Sequence, residues 1–151
     1  MTRAHELVMA ETLRRRIVKH ARRERPRECC GFLVGTSTSV RTIVEATNVA
    51  TGTRRYRVDP REHIALRRTL RVDPTGSRIV GVYHSHPAGA AEPSDTDIAE
   101  AHYPEWVHVI VGLGGRRARL RAFGIASGQS WEIPVRRAVP RGTGRGHGKK
   151  R

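Results

Sequence analysis

The chain has 151 residues, 37% of them hydrophobic and 28% charged, with 29 Lys and Arg against 14 Asp and Glu, for a formal net charge of +15. That length suits one domain with a core of its own, and no run of about 18 apolar residues exists to cross a bilayer as a helix. The start lacks an apolar signal core, so the chain reads as cytoplasmic with no membrane partner; its only cysteines, Cys29 and Cys30, are adjacent, cannot build a disulfide framework and suit buried packing in a reducing compartment.

Leu7-Val8-Met9 reads as a short first strand. Over residues 10–25, Leu13, Ile17, Val18 and Ala21 recur at helical spacing among Arg and Lys, which predicts an amphipathic helix with a basic outer face. Pro26 ends it. Residues 29–34 form a near-continuous apolar run, the pattern of a central strand, with Glu28 at its entrance. Residues 40–49 are rich in β-branched side chains and predict the next strand. A turn follows around Gly52, and Tyr56-Arg57-Val58 reads as extended. Asp59 and Pro60 supply the cap and first position of a helix running to about Arg71, with Ile64, Ala65, Leu66 and Leu70 as its buried stripe.

After a turn at residues 73–76, the run Ile79-Val80-Gly81-Val82-Tyr83 predicts a buried strand that continues into His84-Ser85-His86-Pro87. Side chains alternate along a strand, so His84 and His86 share a face, while Ser85 points away and reads as structural. Pro93-Ser94 then opens a helix over residues 95–102. Ser94 is its cap, and Asp97, three residues on, lies on the same side of the first turn. Two imidazoles and one carboxylate leave the fourth position of a tetrahedral ion open, which is the pattern of a catalytic zinc site. Residues 106–111, 118–124 and 130–135 supply three further strands, with turns at residues 112–115 and at Gly128-Gln129. His5, His20, His63, His102, His108 and His147 lack ligand spacing and are expected to be solvated or structural.

Residues 136–151 carry seven Lys or Arg and no acid; subtracting those seven from +15 leaves +8 for the rest. This glycine-rich tail is expected to be disordered, open to an acidic partner or nucleic acid, but without an aromatic residue on which bases could stack.

Glu28, His84-Ser85-His86-Pro87 and Ser94-x-x-Asp97 together resemble the motif of the JAMM/MPN+ metalloproteases, with every position filled; the resemblance covers roughly residues 7–135. It implies the α/β class and the MPN (cytidine-deaminase-like) fold, a mixed β-sheet flanked by helices, with the domain over residues 1–135 and the tail over residues 136–151. It further implies one zinc ion per chain on His84, His86 and Asp97, with Glu28 as general acid-base and Ser94 as a hydrogen-bond donor to the oxyanion. Only residues 98–105 separate Asp97 from the next strand, where eukaryotic deubiquitinases of the family carry an insertion. The chain is therefore most similar to the small bacterial enzymes that act on ubiquitin-like β-grasp sulfur-carrier proteins. The implied activity is zinc-dependent hydrolysis of an amide at the carrier's C-terminal Gly-Gly. The alternatives are a non-catalytic MPN scaffold, although scaffold members lose ligands that are kept here, and a nucleic-acid-associated protein, for which no recognition-helix, RNP or zinc-finger signal is present. His-Glu-x-x-His and the zinc-deaminase pattern are also absent.

Overall fold

Apolar runs far apart in the chain become neighbours in one mixed sheet of eight strands, in the order β7-β6-β5-β4-β2-β3-β1-β8. The structure is a computed structural model, and it describes residues 3–139. The elements in chain order are β1 Leu7–Met9, α1 Glu11–Glu24, β2 Cys30–Thr36, β3 Ser39–Ala46, α2 Pro60–Arg71, β4 Arg78–His86, α3 Asp95–Ala99, β5 Val107–Gly112, β6 Arg119–Ala126, β7 Gln129–Ile133 and β8 Val135–Arg137. β4 and β5 are parallel, as are β1 with β3 and β1 with β8; the other pairs are antiparallel. This is the mixed α/β architecture that the resemblance implied.

The central strands β2, β4 and β5 are covered on both faces, which is why their sequences are apolar without alternation. One face packs against α1, whose Leu13, Ile17 and Ala21 meet Leu33, Tyr83, Val109 and Val111. On the other face Phe32, Val34, Ile79, Val82 and Trp106 form a second cluster, with Leu66 and Leu70 of α2 packed against it. The expected stripe of α2 holds at Leu66 and Leu70 but not at Ile64 and Ala65. Ile64 is 52% exposed and Ala65 is exposed as well. The His63 ring instead lies against Phe32, Tyr103 and Trp106, so the inward positions are 63, 66 and 70, an i, i+3, i+7 set.

One irregularity decides the site. Leu33 pairs with Gly81 but Val34 pairs with Ile79, leaving Val80 as an extra residue in β4. Such a bulge shifts the alternation of everything beyond it. Ile79 faces the α2 side; without the bulge Val82 and His84 would face α1. With it, Val82, His84 and His86 point to the α2 side, and Tyr83 and Ser85 to α1.

Some boundaries differ from the sequence expectation, β3 ending at Ala46 instead of residue 49. α3 stops at Ala99, and the following loop instead stacks Tyr103 on Trp106 with ring centroids 3.9 Å apart. The last hairpin turns at Ser127 and Gly128, both at positive φ, one residue earlier than expected. β8 carries the sheet past residue 135: Arg136 and Arg137 pair with Val8 and Met9 of β1. The remainder of the expected tail, residues 140–151, lies outside the described residues.

Candidate metal centre and active site

Cys30 of β2 lies opposite His84 of β4, so the entrance of β2 meets the exit of β4. That pairing brings Glu28 beside His86, with Oε1 3.8 Å from Nε2. Ser85, facing the other way, accepts a hydrogen bond from the Cys29 amide at 2.8 Å and locks the two strands at this level. Past His86 the chain folds back over the end of β5, where the amide of Leu113 donates to the carbonyl of His86 at 3.1 Å. A side chain at Gly112 would run into the backbone of Ala90 and Ala91, so glycine is what lets this loop lie on the strand. The loop places the Ala90 carbonyl 2.9 Å from His86 Nδ1, which donates to it and leaves Nε2 as a bare lone pair.

Ser94 and Asp97 form a reciprocal capping box. The Asp97 amide donates to Ser94 Oγ at 3.0 Å, and the Ser94 amide donates to Asp97 Oδ2 at 2.9 Å. The cap of a five-residue helix thus doubles as the device that aims a carboxylate at the histidines. His84 Nε2, His86 Nε2 and Asp97 Oδ2 lie 3.1 Å from one another in all three pairs. Two imidazole nitrogens and a carboxylate oxygen at such spacing repel unless a proton or a metal cation lies between them. A tetrahedral zinc with bonds of ~2.0–2.1 Å separates its ligand atoms by about 3.3 Å, so the donor set fits that ion. Two carboxylates compete for the role of third ligand. Glu28 groups with both histidines within 4.8 Å, but Asp97 is closer. The shorter distance suits direct ligation by Asp97, and the longer one leaves room for a water beside Glu28.

The electrostatics follow the burial. Burial alone would raise Asp97, but hydrogen bonds from His84 and His86 outweigh it and hold the carboxyl well below the usual range. Burial lowers His84, keeping its ring neutral. It also opposes charge on His86, but Asp97 and the Ala90 carbonyl raise His86 above a free imidazole. Burial pushes Glu28 up to about 7, with His86 pulling it down and Asp97 adding to the rise. Glu28 is 3% exposed, and its Oε2 has no hydrogen-bond partner among the described residues. Both cysteines are buried, and burial pushes each thiol up to about 12, so neither is a ready ligand.

The structure therefore brings together all five residues marked in the sequence. Three more belong to the same place. Asn48, two residues past the end of β3, uses its whole amide: Nδ2 donates to the carbonyls of Glu28 and Arg55, each at 3.0 Å, while Oδ1 accepts from the amides of Ala50 and Arg57. It ties the loop after β3 to the strand entrance that carries Glu28. Tyr56, on that loop, stacks on the His84 ring with centroids 4.3 Å apart and an angle of 20°. His108 sits opposite Val82 in the β4–β5 register and so shares the face of His84. It is 5% exposed, burial lowers it to about 4, and its Nε2 lacks a partner among the described residues. No spacing in the sequence marks these three, because each gains its place from a neighbouring segment. Of the other histidines, His20 is structural: it is buried on the α1 side with Nδ1 2.8 Å from the Tyr83 hydroxyl.

Comparison with known proteins supplies independent evidence. The family model for prokaryotic homologs of the JAB domain matches residues 10–125. A protein of Mycobacterium tuberculosis named CysO-cysteine peptidase is 35% identical over 132 residues, covering 85% of this chain and 89% of that one. A desampylase of Haloferax volcanii is 36% identical over 118 residues, covering 73% and 83%. Among solved structures, a protein of Desulfitobacterium hafniense superposes with a TM-score of 0.77 at 24% identity, covering 89% and 95%. A JAB1/MPN domain protein of Archaeoglobus fulgidus gives 0.54 at 15%, covering 87% and 98%. At those identities the two structures speak for the fold alone.

Proposed function

Since the chain belongs to the family of prokaryotic homologues of the JAB domain, we propose that it is a zinc-dependent peptidase or isopeptidase acting on the C-terminal Gly-Gly of a ubiquitin-like sulfur-carrier protein. The observation that carries this reading is the convergence of His84, His86 and Asp97 at 3.1 Å beside the buried carboxyl of Glu28. His84, His86 and Asp97 would hold one zinc ion. Such an ion lowers the pKa of a bound water from about 16 toward ~7 and polarises a carbonyl.

Glu28 takes the proton from the attacking water and passes it to the leaving amine. A value of about 7 lets it hold or release a proton at neutral pH, and its unpartnered Oε2 is the atom available for the exchange. Ser94 accepts the Asp97 amide through its oxygen, which leaves its own O–H free to donate toward the oxygen that gains charge. Tyr56 buttresses the His84 ring, and Asn48 fixes the backbone from which Glu28 projects. A complete set of groups favours a catalyst over a scaffold of the same fold. The test is incubation of zinc-loaded protein with β-grasp carriers extended beyond Gly-Gly, followed by mass spectrometry. The expected product ends at the second glycine; intact carriers at one zinc equivalent per chain would refute the proposal.

A further inference from the structure

The site lies between two clefts, each bordered by arginines. One, of about 680 Å³, is bordered by Tyr56, Asp97, Glu100 and His108. There Arg55 is neutralised, with Nη2 2.6 Å from Glu100 Oε1, while Arg57 has no carboxylate within 4.0 Å among the described residues. The other, of about 600 Å³, is bordered by Arg25, Glu28, Arg54, His86 and Ser94. Among the described residues neither Arg25 nor Arg54 has a carboxylate within 4.0 Å. Arg25 reaches over the exit of β4, where Nη2 makes one long contact of 3.4 Å with the carbonyl of Pro87, the residue after His86. A guanidinium has five donors, so most of them remain for a ligand.

Resting on the hydrolytic reading above, we propose that the Arg25–Arg54 cleft receives the leaving group and selects an amino acid that carries a free α-carboxylate. Glu28 and Ser94 border this cleft and not the other. The group that hands a proton to the leaving nitrogen must face the leaving group. In hydrolysis the water oxygen bonds to the glycine carbonyl carbon, the C–N bond breaks, and the nitrogen takes the proton. The carrier then ends in a carboxylate and the amino acid departs with its amine and its own carboxylate. In an α-linked amino acid that carboxylate is attached one carbon from the nitrogen, where two guanidinium groups can pair with it bidentately. A lysine joined through its ε-nitrogen presents only methylenes there. The cleft therefore favours removal of a single terminal residue over cleavage of a lysine-linked conjugate.

The test uses zinc-loaded full-length protein and one β-grasp carrier ending Gly-Gly-Ala, as the free acid and as the C-terminal amide, with an ε-lysine conjugate of the same carrier as third substrate. Binding of fluorescent tail peptides of the same three chemistries to Glu28→Gln protein is measured in parallel. The free acid should be cut with ~10–100-fold higher kcat/KM than the amide, the scale of a hydrogen-bonded charge pair. Arg25→Ala and Arg54→Ala should bring that ratio toward one, chiefly through KM, and Arg25→Lys should keep part of it. Equal handling of acid and amide, an unchanged ratio in both Ala variants, or an ε-lysine conjugate cut as fast as the free acid overturns the inference while leaving hydrolysis intact. If nothing is cut yet the acid is bound preferentially through Arg25 and Arg54, the cleft stands and the hydrolytic reading falls. If nothing is cut and the acid binds no better, both fall.

Discussion

On the side of β4 that meets α1, buried polar side chains have partners: the Tyr83 hydroxyl lies 2.8 Å from His20 Nδ1, and Ser85 Oγ accepts the Cys29 amide at 2.8 Å. Around the alternate residues of the same strand the reverse holds. The three buried side-chain atoms without a hydrogen-bond partner among the described residues are Glu28 Oε2, His84 Nδ1 and His108 Nε2, and all belong to the side of His84 and His86. Leaving a buried polar atom unmatched costs about 1–3 kcal/mol. A fold that matches them on one side and leaves them together on the other keeps the first for stability and the second for a ligand. Substitutions should therefore separate cleanly: changes on the His side alter metal content and turnover, and changes on the α1 side alter melting.

The largest effect should come from the proposed ligands. In the double variant His84→Ala/His86→Ala, zinc by metal analysis should fall from one equivalent to near zero and hydrolysis to background, while circular dichroism keeps the signature of the sheet. Full zinc in that protein would refute the assignment. Glu28→Gln, which preserves shape, should keep zinc and lose ~10²–10⁴ in kcat, and Ser94→Ala should lose ~10²–10³. Steady-state kinetics with a metal assay on the same samples checks both, and near-normal turnover in either variant removes that residue's role.

On the α1 side the prediction is the converse. Tyr83→Phe strips His20 of its partner and should cost about 1–3 kcal/mol, a fall in Tm of about 2–4 °C for each kcal/mol. Zinc content and kcat should stay within twofold; a large loss of turnover would erase the distinction between the two sides. The smallest effect is a pH slope. Burial lowers His108 to about 4, below the ~6.5 of an unfolded imidazole. Between those values the unfolded chain binds more protons, so this group's contribution to stability is complete above about pH 6.5 and is lost as pH falls toward 4. His108→Leu should flatten that slope by up to ~1.4 kcal/mol per pH unit. Chemical denaturation of metal-free protein at several pH values measures it, and an unchanged slope would place the titration elsewhere.

Much of the molecule was legible before any fold was known, and the failures have particular causes. α1 could be read because Leu13, Ile17 and Ala21 repeat at helical spacing. β2, β4 and β5 could be read because doubly covered strands are continuously apolar. The stripe of α2 is legible at Leu66 and Leu70 but not at its start, since a hydropathy pattern favours Ile64 and Ala65 over His63, whose ring packs among Phe32, Tyr103 and Trp106. β8 was missed because Val135–Arg137 is short and two of its three side chains are charged; its place comes from backbone pairing with β1.

The sequence by itself determined which side chains can be grouped. His84 and His86 share a face because alternation along a strand is local, and Ser94 with Asp97 forms a capping box because three residues span a helical turn. Tertiary structure alone decided where that set points and what joins it. The extra residue Val80, visible only once β4 is paired with β2, turns the histidines away from α1. The antiparallel pairing of those strands carries Glu28 to His86, and Asn48 and Tyr56 arrive on the loop after β3. Register and loop placement depend on contacts between segments remote in the chain, and no periodicity within one segment encodes them.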